Sequence, residues 1–166
     1  MTNPQKFGLK FVEPFVKSTQ EVFDIFLNCK CKPLEIQTIT EAASHRKSVT
    51  ASISMVGRFK GSLTISTSEE GAKNILEKIA GFECEEVDEM VLDSMGEMAN
   101  MIAGKGKRDL SQYELQLGLP DVVVSQGDLL HFYRYAEHYA VPFNTDIGEC
   151  VLEIGLDSLE DVPLAI

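Results

Sequence analysis

Residues 87–106 carry the pattern of one long helix with an apolar stripe along one side. The stripe is formed by residues at helical spacing: Val91, Met95, Met98 and Ile102. At about 100° per residue, Glu97 and Asn100 lie about 60° apart, one turn apart and roughly opposite the stripe. Asp93 falls about 40° from Glu97 on the same side. We therefore expect a helix that buries its stripe against another layer and points a carboxylate and an amide outward together, a geometry suited to engaging a partner.

Alternating apolar and polar residues predict an antiparallel sheet. Residues 47–56 and 62–66 alternate, and Gly57–Gly61 between them has the composition of a hairpin turn. Residues 128–140 fit either a strand or a helix, because aromatic residues favour a strand while the spacing also allows a helix. The other predicted strands are 34–41, 122–124, 141–143 and 150–156, the last two forming a hairpin across 144–149.

Two further helices complete the predicted fold. Residues 12–28 have helical spacing with Pro14 in the first turn, and residues 69–80 form a short helix between Ser68 and Gly81. We expect an α+β fold in which an antiparallel sheet of about six strands is covered on one face by two long helices and one short helix. No repeat or linker is visible, so a single domain is expected over 1–166, with a frayed C-terminal tail.

The net charge of −11 at pH 7 limits the possible partners. Nucleic acids and anionic membranes both require a basic surface, so neither is an expected partner. A protein partner with exposed lysine or arginine fits better. No signal peptide is visible and the apolar runs are too short to span a bilayer, which predicts a cytoplasmic protein with reduced thiols.

No metal site is predicted. Cys29 and Cys31 have the spacing of half a metal clip, but no second pair of cysteine or histidine residues lies nearby in the sequence. The histidines show no ligand or catalytic spacing with one another: His45, His131 and His138. We expect no cofactor or metal bound by this chain itself.

Three sequence blocks resemble the bacterial chemotaxis phosphatases called CheX, which are relatives of CheC and FliY. The blocks are residues 97–104 (EMANMIAG), 119–124 (LPDVVV), and 141–143 (VPF) followed by 149–156 (ECVLEIGL). The family signature is an acidic residue or serine, a glutamate four residues on, an asparagine three further on, and a downstream proline. Asp93, Glu97 and Asn100 match this signature, and Pro120 stands 20 residues after Asn100.

The resemblance implies hydrolysis of the aspartyl phosphate on a CheY-type response regulator, which ends a chemotaxis signal. It implies that Glu97 docks onto an active-site lysine of the regulator and that Asn100 holds the attacking water in line. Mg²⁺ would then belong to the regulator's receiver domain. It also implies a homodimer formed through a continued sheet, with 128–143 as the expected contact. CheC-type relatives can carry a second such motif in the first helix. Here Asp24 rather than asparagine follows Glu21 by three residues, so one site per chain is expected.

Other readings of these residues remain open. Glu97 and Asn100 could form a solvated helix face, and Asp93 could serve solubility alone. Met101 lies about 40° from Glu97 and could be an exposed substrate contact. Gly96 within the helix allows close approach of another helix or of the partner's backbone, and close helix packing is the favoured explanation. The alternatives to a phosphatase are a non-catalytic module that binds a receiver or a flagellar component, and an unrelated ligand-binding domain with an apolar pocket.

Overall fold

Three α-helices lie within residues 8–39, 47–125 and 135–157, the part of the chain that the computed structural model describes. They are α1 (Leu9–Ile25), α2 (Glu69–Ala80) and α3 (Glu89–Gly106). A 3-10 turn, Lys107–Tyr113, follows α3. The α2 helix has the predicted bounds, and α3 begins two residues later than predicted because the Asp88 carboxylate caps it by accepting a hydrogen bond from the Val91 amide.

The strands of the same ranges form one antiparallel sheet. They are β1 (Cys31–Pro33), β2 (Gln37–Thr38), β3 (Val49–Val56), β4 (Lys60–Thr67), β5 (Gln116–Leu117), β6 (Asp121–Val124), β7 (Glu137–Thr145) and β8 (Gly148–Asp157). Their order is β1-β7-β8-β4-β3-β5; β2 also pairs with β7 and β6 with β3. The α+β class is confirmed, with two of the eight strands being only two residues long.

One face of the sheet forms the core together with the helices. Leu63 pairs with Ile53 on one side and with Ile154 on the other, so a row of apolar side chains crosses three strands. Phe15 and Phe23 of α1 are fully buried in the same cluster. The alternating β3 residues are buried as the sequence predicts: Val49, Ala51, Ile53 and Met55.

The opposite face of the sheet is largely polar and is buried in its central part. The hydroxyls of Ser52 and Thr64 lie 3.3 Å apart on neighbouring strands. Glu153, next to Thr64 in the register, is only 3 % exposed, and its Oε1 lies 3.6 Å from Nε2 of His138. Pairing of this kind is what allows a carboxylate to be buried.

The α3 helix lies over the sheet between its neighbours. It packs against α1, α2 and β3, and its stripe is fully buried: Val91, Met95, Met98 and Ile102. The Ser18 hydroxyl of α1 donates a 2.6 Å hydrogen bond to the Ile102 carbonyl oxygen, which links the two helices. Burial of this stripe fixes the rotation of α3 about its axis, and with it the direction of the polar side.

The strand predicted at 34–41 is found only in part. Gln37–Thr38 pair with β7 as a strand, but the chain already pairs with β7 at Cys31–Pro33, before the predicted start, and residues 40–41 lie outside the described ranges. The physical reason is that β1 lies at the edge of the described sheet, where Pro33 needs no partner for its missing amide hydrogen. The register here follows from pairing with β7 and not from the local pattern.

Other boundaries also shift. The first helix runs from Leu9 to Ile25 and not over 12–28, which places Pro14 in its second turn. The ambiguous segment is a strand from Glu137 onward, whereas 128–134 lies outside the described residues. The turn of the last hairpin, predicted at 144–149, contains only Asp146 and Ile147. The predicted frayed tail and His45 lie outside the described ranges.

Replacing Gly106 with alanine should lower the free energy of unfolding by about 1–3 kcal/mol, because the added methyl would overlap the ring of Phe15, with Cε1 at 2.7 Å. Urea denaturation of both proteins measures the change. The matched control is Gly104→Ala in the same helix, where no atom of the described residues lies within 4 Å of the added methyl. The prediction fails if the Gly106 variant is as stable as the Gly104 variant.

Candidate active site

The outward side of α3 carries the predicted site residues in one line. Asp93, Glu97 and Asn100 are all exposed, whereas the residues between them are largely buried. Met101 is half-buried and packs against the core, so only part of its side chain faces solvent. At one helical turn, Glu97 and Asn100 are about 4.5 Å apart along the axis, close enough to contact the same partner group. The three polar residues are therefore brought together, with Met101 at their margin.

These polar side chains are not used by the fold. Within the part of the chain that the structure describes, no hydrogen bond or ion pair involves the side chains of Asp93, Glu97 or Asn100. The Glu97 carboxylate and the Asn100 amide are thus available to a partner without breaking an internal contact. Because both project from a packed helix, their Cα positions are fixed before any partner arrives.

Pro120 lies beside this line despite its distance in sequence. A Cβ atom built at Gly96 would be 3.4 Å from Cβ and Cγ of Pro120 and 3.5 Å from Cγ2 of Val122. The expectation that Gly96 contacts another helix is therefore wrong, because its neighbours are the loop before β6 and β6 itself. Gly96 leaves room for little more than a methyl, which lets this segment pack directly against the helix next to Glu97.

The Gly118–Pro120 loop is held on two sides. The Gly118 amide donates a 2.9 Å hydrogen bond to the Ser54 carbonyl, and Pro120 rests against Gly96. Leu119 between them is 91 % exposed. Sequence reasoning identified Pro120 as part of a motif but missed this contact. A glycine in the middle of a helix was the available signal, since it lowers helix stability unless close packing requires it.

Three of the four cysteines are poor nucleophiles: Cys29, Cys31 and Cys150. Burial raises the pKa of the Cys31 thiol to about 12, with smaller contributions from Cys150 and Cys29. Burial also raises the pKa of Cys150 to about 11 and that of Cys29 above its ordinary value. A thiol with such a pKa is almost entirely protonated near neutral pH, which argues against covalent catalysis at these residues.

Two shallow clefts lie away from Glu97 and Asn100. One of about 150 Å³ has mixed-charge walls formed mainly by α1, Lys105, Arg108 and Asp109. A larger one of about 390 Å³ includes Asp24 and the Cys29–Cys31 segment. Both clefts are open to solvent and lined in part by charged side chains, unlike the enclosed apolar pocket expected of a ligand-binding domain.

Residues 8–39, 47–125 and 135–157 contain neither a metal-binding cluster nor a membrane-spanning helix. There, no group of three or more histidine, cysteine, aspartate or glutamate residues is arranged to hold a metal ion. In the same ranges no helix has the length and apolar character needed to cross a membrane.

Comparisons with known proteins point to one family. The family model described as chemotaxis phosphatase CheX matches residues 49–144. The CheY-P phosphatase CheX of Thermotoga maritima is 30% identical over 122 residues, covering 72% of this chain and 78% of that protein. The match to the family model includes β3 to β7 and therefore all of α3.

Solved structures share the fold. A CheC-like superfamily protein from Shewanella sp. PV-4 superposes with a TM-score of 0.83 at 29% identity, covering 92% of this chain and 100% of that one. A chain of the CheX–CheY–BeF₃–Mg²⁺ complex from Borrelia burgdorferi superposes with a TM-score of 0.75 at 19% identity, covering 89% and 98%. The second likeness, at this identity, concerns the fold alone.

Cys31 and Cys150 should resist alkylation in the folded protein. With a pKa of about 12, roughly one Cys31 thiol in 10⁴ is ionised at pH 8, and a raised pKa lowers this fraction at every pH below it. Iodoacetamide labelling at pH 8, read by peptide mass spectrometry, should be at least about 100-fold slower for both thiols than in urea. Native labelling at a rate close to the urea rate would contradict the burial described here.

Proposed function

The chain belongs to the CheX family of chemotaxis phosphatases, and on that basis we propose that it hydrolyses the aspartyl phosphate of a phosphorylated CheY-type response regulator. The observation that carries the proposal is the pair Glu97 and Asn100, exposed side by side on a packed helix and without a side-chain partner among the described residues. A side-chain pair with no structural use, in the position that the family signature occupies, is accounted for by an external partner.

Glu97 is proposed to dock on the receiver. Its carboxylate would pair with the receiver's active-site lysine, which agrees with the net charge of −11 on this chain and with the neighbouring Asp93. A charge pair that loses water at the centre of an interface contributes to affinity and sets the register between the partners. Glu97 would thereby place Asn100, one turn further along, over the phosphoryl group.

Asn100 is proposed to position the attacking water. An amide is not a base, but its oxygen accepts and its NH₂ donates, so it can hold a water molecule in one orientation. An acyl phosphate is already reactive and its transfer has a loose transition state, so alignment is the main requirement. Orientation of this kind would contribute about 2–4 kcal/mol, or roughly 30- to 1000-fold in rate.

The metal ion in this scheme is part of the substrate. Mg²⁺ would be held by the phosphorylated receiver, where it would neutralise charge on the transferring phosphoryl group. The Borrelia burgdorferi complex supports this assignment by analogy, since it contains CheY together with BeF₃, a chemical mimic of a phosphoryl group, and Mg²⁺. The residues of this chain would then supply only docking and water alignment.

The surrounding residues take supporting roles in the proposal. Asp93 extends the acidic line toward the start of α3, and the exposed part of Met101 lies at the margin of the docking surface. We also propose a homodimer formed through a continued sheet, and a cytoplasmic location shared with the response regulator. Sedimentation equilibrium would test the dimer.

Asn100→Ala should remove most of the turnover and keep most of the binding. The expected loss in kcat is about 30- to 1000-fold, because the water loses its orienting amide while Glu97 still docks. Phosphate release from a phosphorylated CheY-type receiver measures kcat, and calorimetry with the same receiver, Mg²⁺ and beryllofluoride measures affinity. Glu89→Ala, which removes an exposed carboxylate from the first turn of the same helix, is the control and should behave as the parent.

Glu97→Ala should lower both affinity and turnover, by about 10-fold or more in Kd, because the receiver lysine would lose its partner. If Asn100→Ala keeps full turnover, the water-positioning role is wrong. If the parent protein binds several activated receivers but accelerates none of them beyond their own decay, the chain is a binding module and not a phosphatase.

A further inference from the structure

The α3 helix contains three glycines, and the fold explains two of them. A methyl at Gly96 would fill the space against Pro120 and leave no room for a larger side chain, and one at Gly106 would overlap the ring of Phe15. A methyl at Gly104 would meet no atom of the described residues within 4 Å. Glycine in a helix interior is less stable than alanine because the unfolded chain has more freedom to lose. Gly104 therefore lowers the stability of the helix, and no contact with the described residues accounts for that loss.

Gly104 does not serve to end the helix either. The helix continues to Gly106, and its C-cap is Lys107 in a right-handed conformation. The glycines with a positive φ in the described ranges are Gly8, Gly81 and Gly148, so the backbone at Gly104 is one that alanine adopts without strain. Neither helix termination nor backbone conformation requires a glycine at this position.

The position of Gly104 is in line with the site. It follows Asn100 by four residues and Glu97 by seven, which places it about 40° and 20° from them around the axis. It lies about 6 Å beyond Asn100 along the helix. A bare stretch of backbone thus continues the line that Asp93, Glu97 and Asn100 begin.

We propose that Gly104 is a clearance point, where the surface of the phosphorylated receiver domain passes close to the α3 backbone while Asn100 reaches the phosphoryl group. This proposal rests on the proposed function. An asparagine side chain is short, so Asn100 holds a water on the phosphoryl group only if the helix itself comes near. A longer side chain on the next turn would extend further than Asn100 and strike the receiver first.

The neighbouring side chain agrees with this assignment. Lys105 is long and adjacent, but its Nζ lies 5.8 Å from the ring centroid of Phe26 at the end of α1. This cation–π contact draws the lysine toward α1 and away from the line of Asp93, Glu97 and Asn100. The bare backbone at Gly104 is therefore not covered by its nearest long neighbour.

The test uses the intact protein with three variants: Gly104→Ala, Gly104→Gln and Gly104→Leu. Alanine should raise Tm by about 1–4 °C, because it removes the glycine cost, and should keep kcat/KM within about 3-fold. Glutamine and leucine should keep the fold but lower kcat/KM for the phosphorylated receiver by about 100-fold, because the helix can no longer approach. Their affinity for the receiver with beryllofluoride and Mg²⁺ should fall by at least about 10-fold.

Glu77→Leu on the outer side of α2 is the matched control, since it also adds a leucine to an exposed helix position. It should leave kcat/KM and affinity unchanged. A folded Gly104→Gln or Gly104→Leu variant with parental affinity and turnover would overturn the clearance role.

The affinity measurement separates this proposal from the proposed function. If the parent binds the receiver without hydrolysis, catalysis fails as a proposal, and the loss of affinity in the bulky variants still decides the role of Gly104. If the parent binds no receiver in a panel of CheY-type domains, docking fails and the clearance role is overturned with it.

Discussion

The rest of the site depends on how α3 is seated on the sheet. Its apolar stripe is fully buried between β3 and the two other helices, and the Ser18 hydroxyl ties its backbone to α1. A helix buried along one stripe cannot rotate about its axis without exposing the apolar side chains of that stripe. Exposing each of them would lower the free energy of unfolding by about 1.5–3 kcal/mol. The outward direction of Glu97 and Asn100 is therefore set by the core and not by contacts of their own.

This arrangement suits a reaction that needs alignment more than acid–base strength. Asn100 has few rotatable bonds and projects from a helix that does not need to reorganise, so little entropy is lost when a water molecule is ordered. A flexible loop would carry the same amide with less accuracy. The raised pKa values of the Cys31 and Cys150 thiols make them poor nucleophiles, which agrees with the proposed mechanism, in which no residue of this chain acts as the nucleophile.

The sequence predicts those elements whose pattern is local and misses those set by distant pairing. Apolar spacing sufficed for α3, and alternation sufficed for β3 and β4, because each of these elements places its large apolar side chains on one continuous face. The 34–41 strand was predicted only in part because an edge segment takes its register from β7. The contact of Pro120 with Gly96 joins residues 24 positions apart, and no periodicity within α3 could indicate which residue would fill that space.

The three glycines of α3 are alike in sequence, and only their surroundings separate them. Gly96 and Gly106 each lower helix propensity but permit close internal packing, so the fold regains some of what it loses at these two positions. Gly104 lowers the helix propensity in the same way, but no described residue packs against it. Proteins tolerate such losses at positions where activity needs them, since stability above the threshold for folding is not selected further. Gly104, one turn beyond Asn100, lowers the stability of α3, and in the proposed clearance role it does so because the helix must fit its partner's surface as well as its own core.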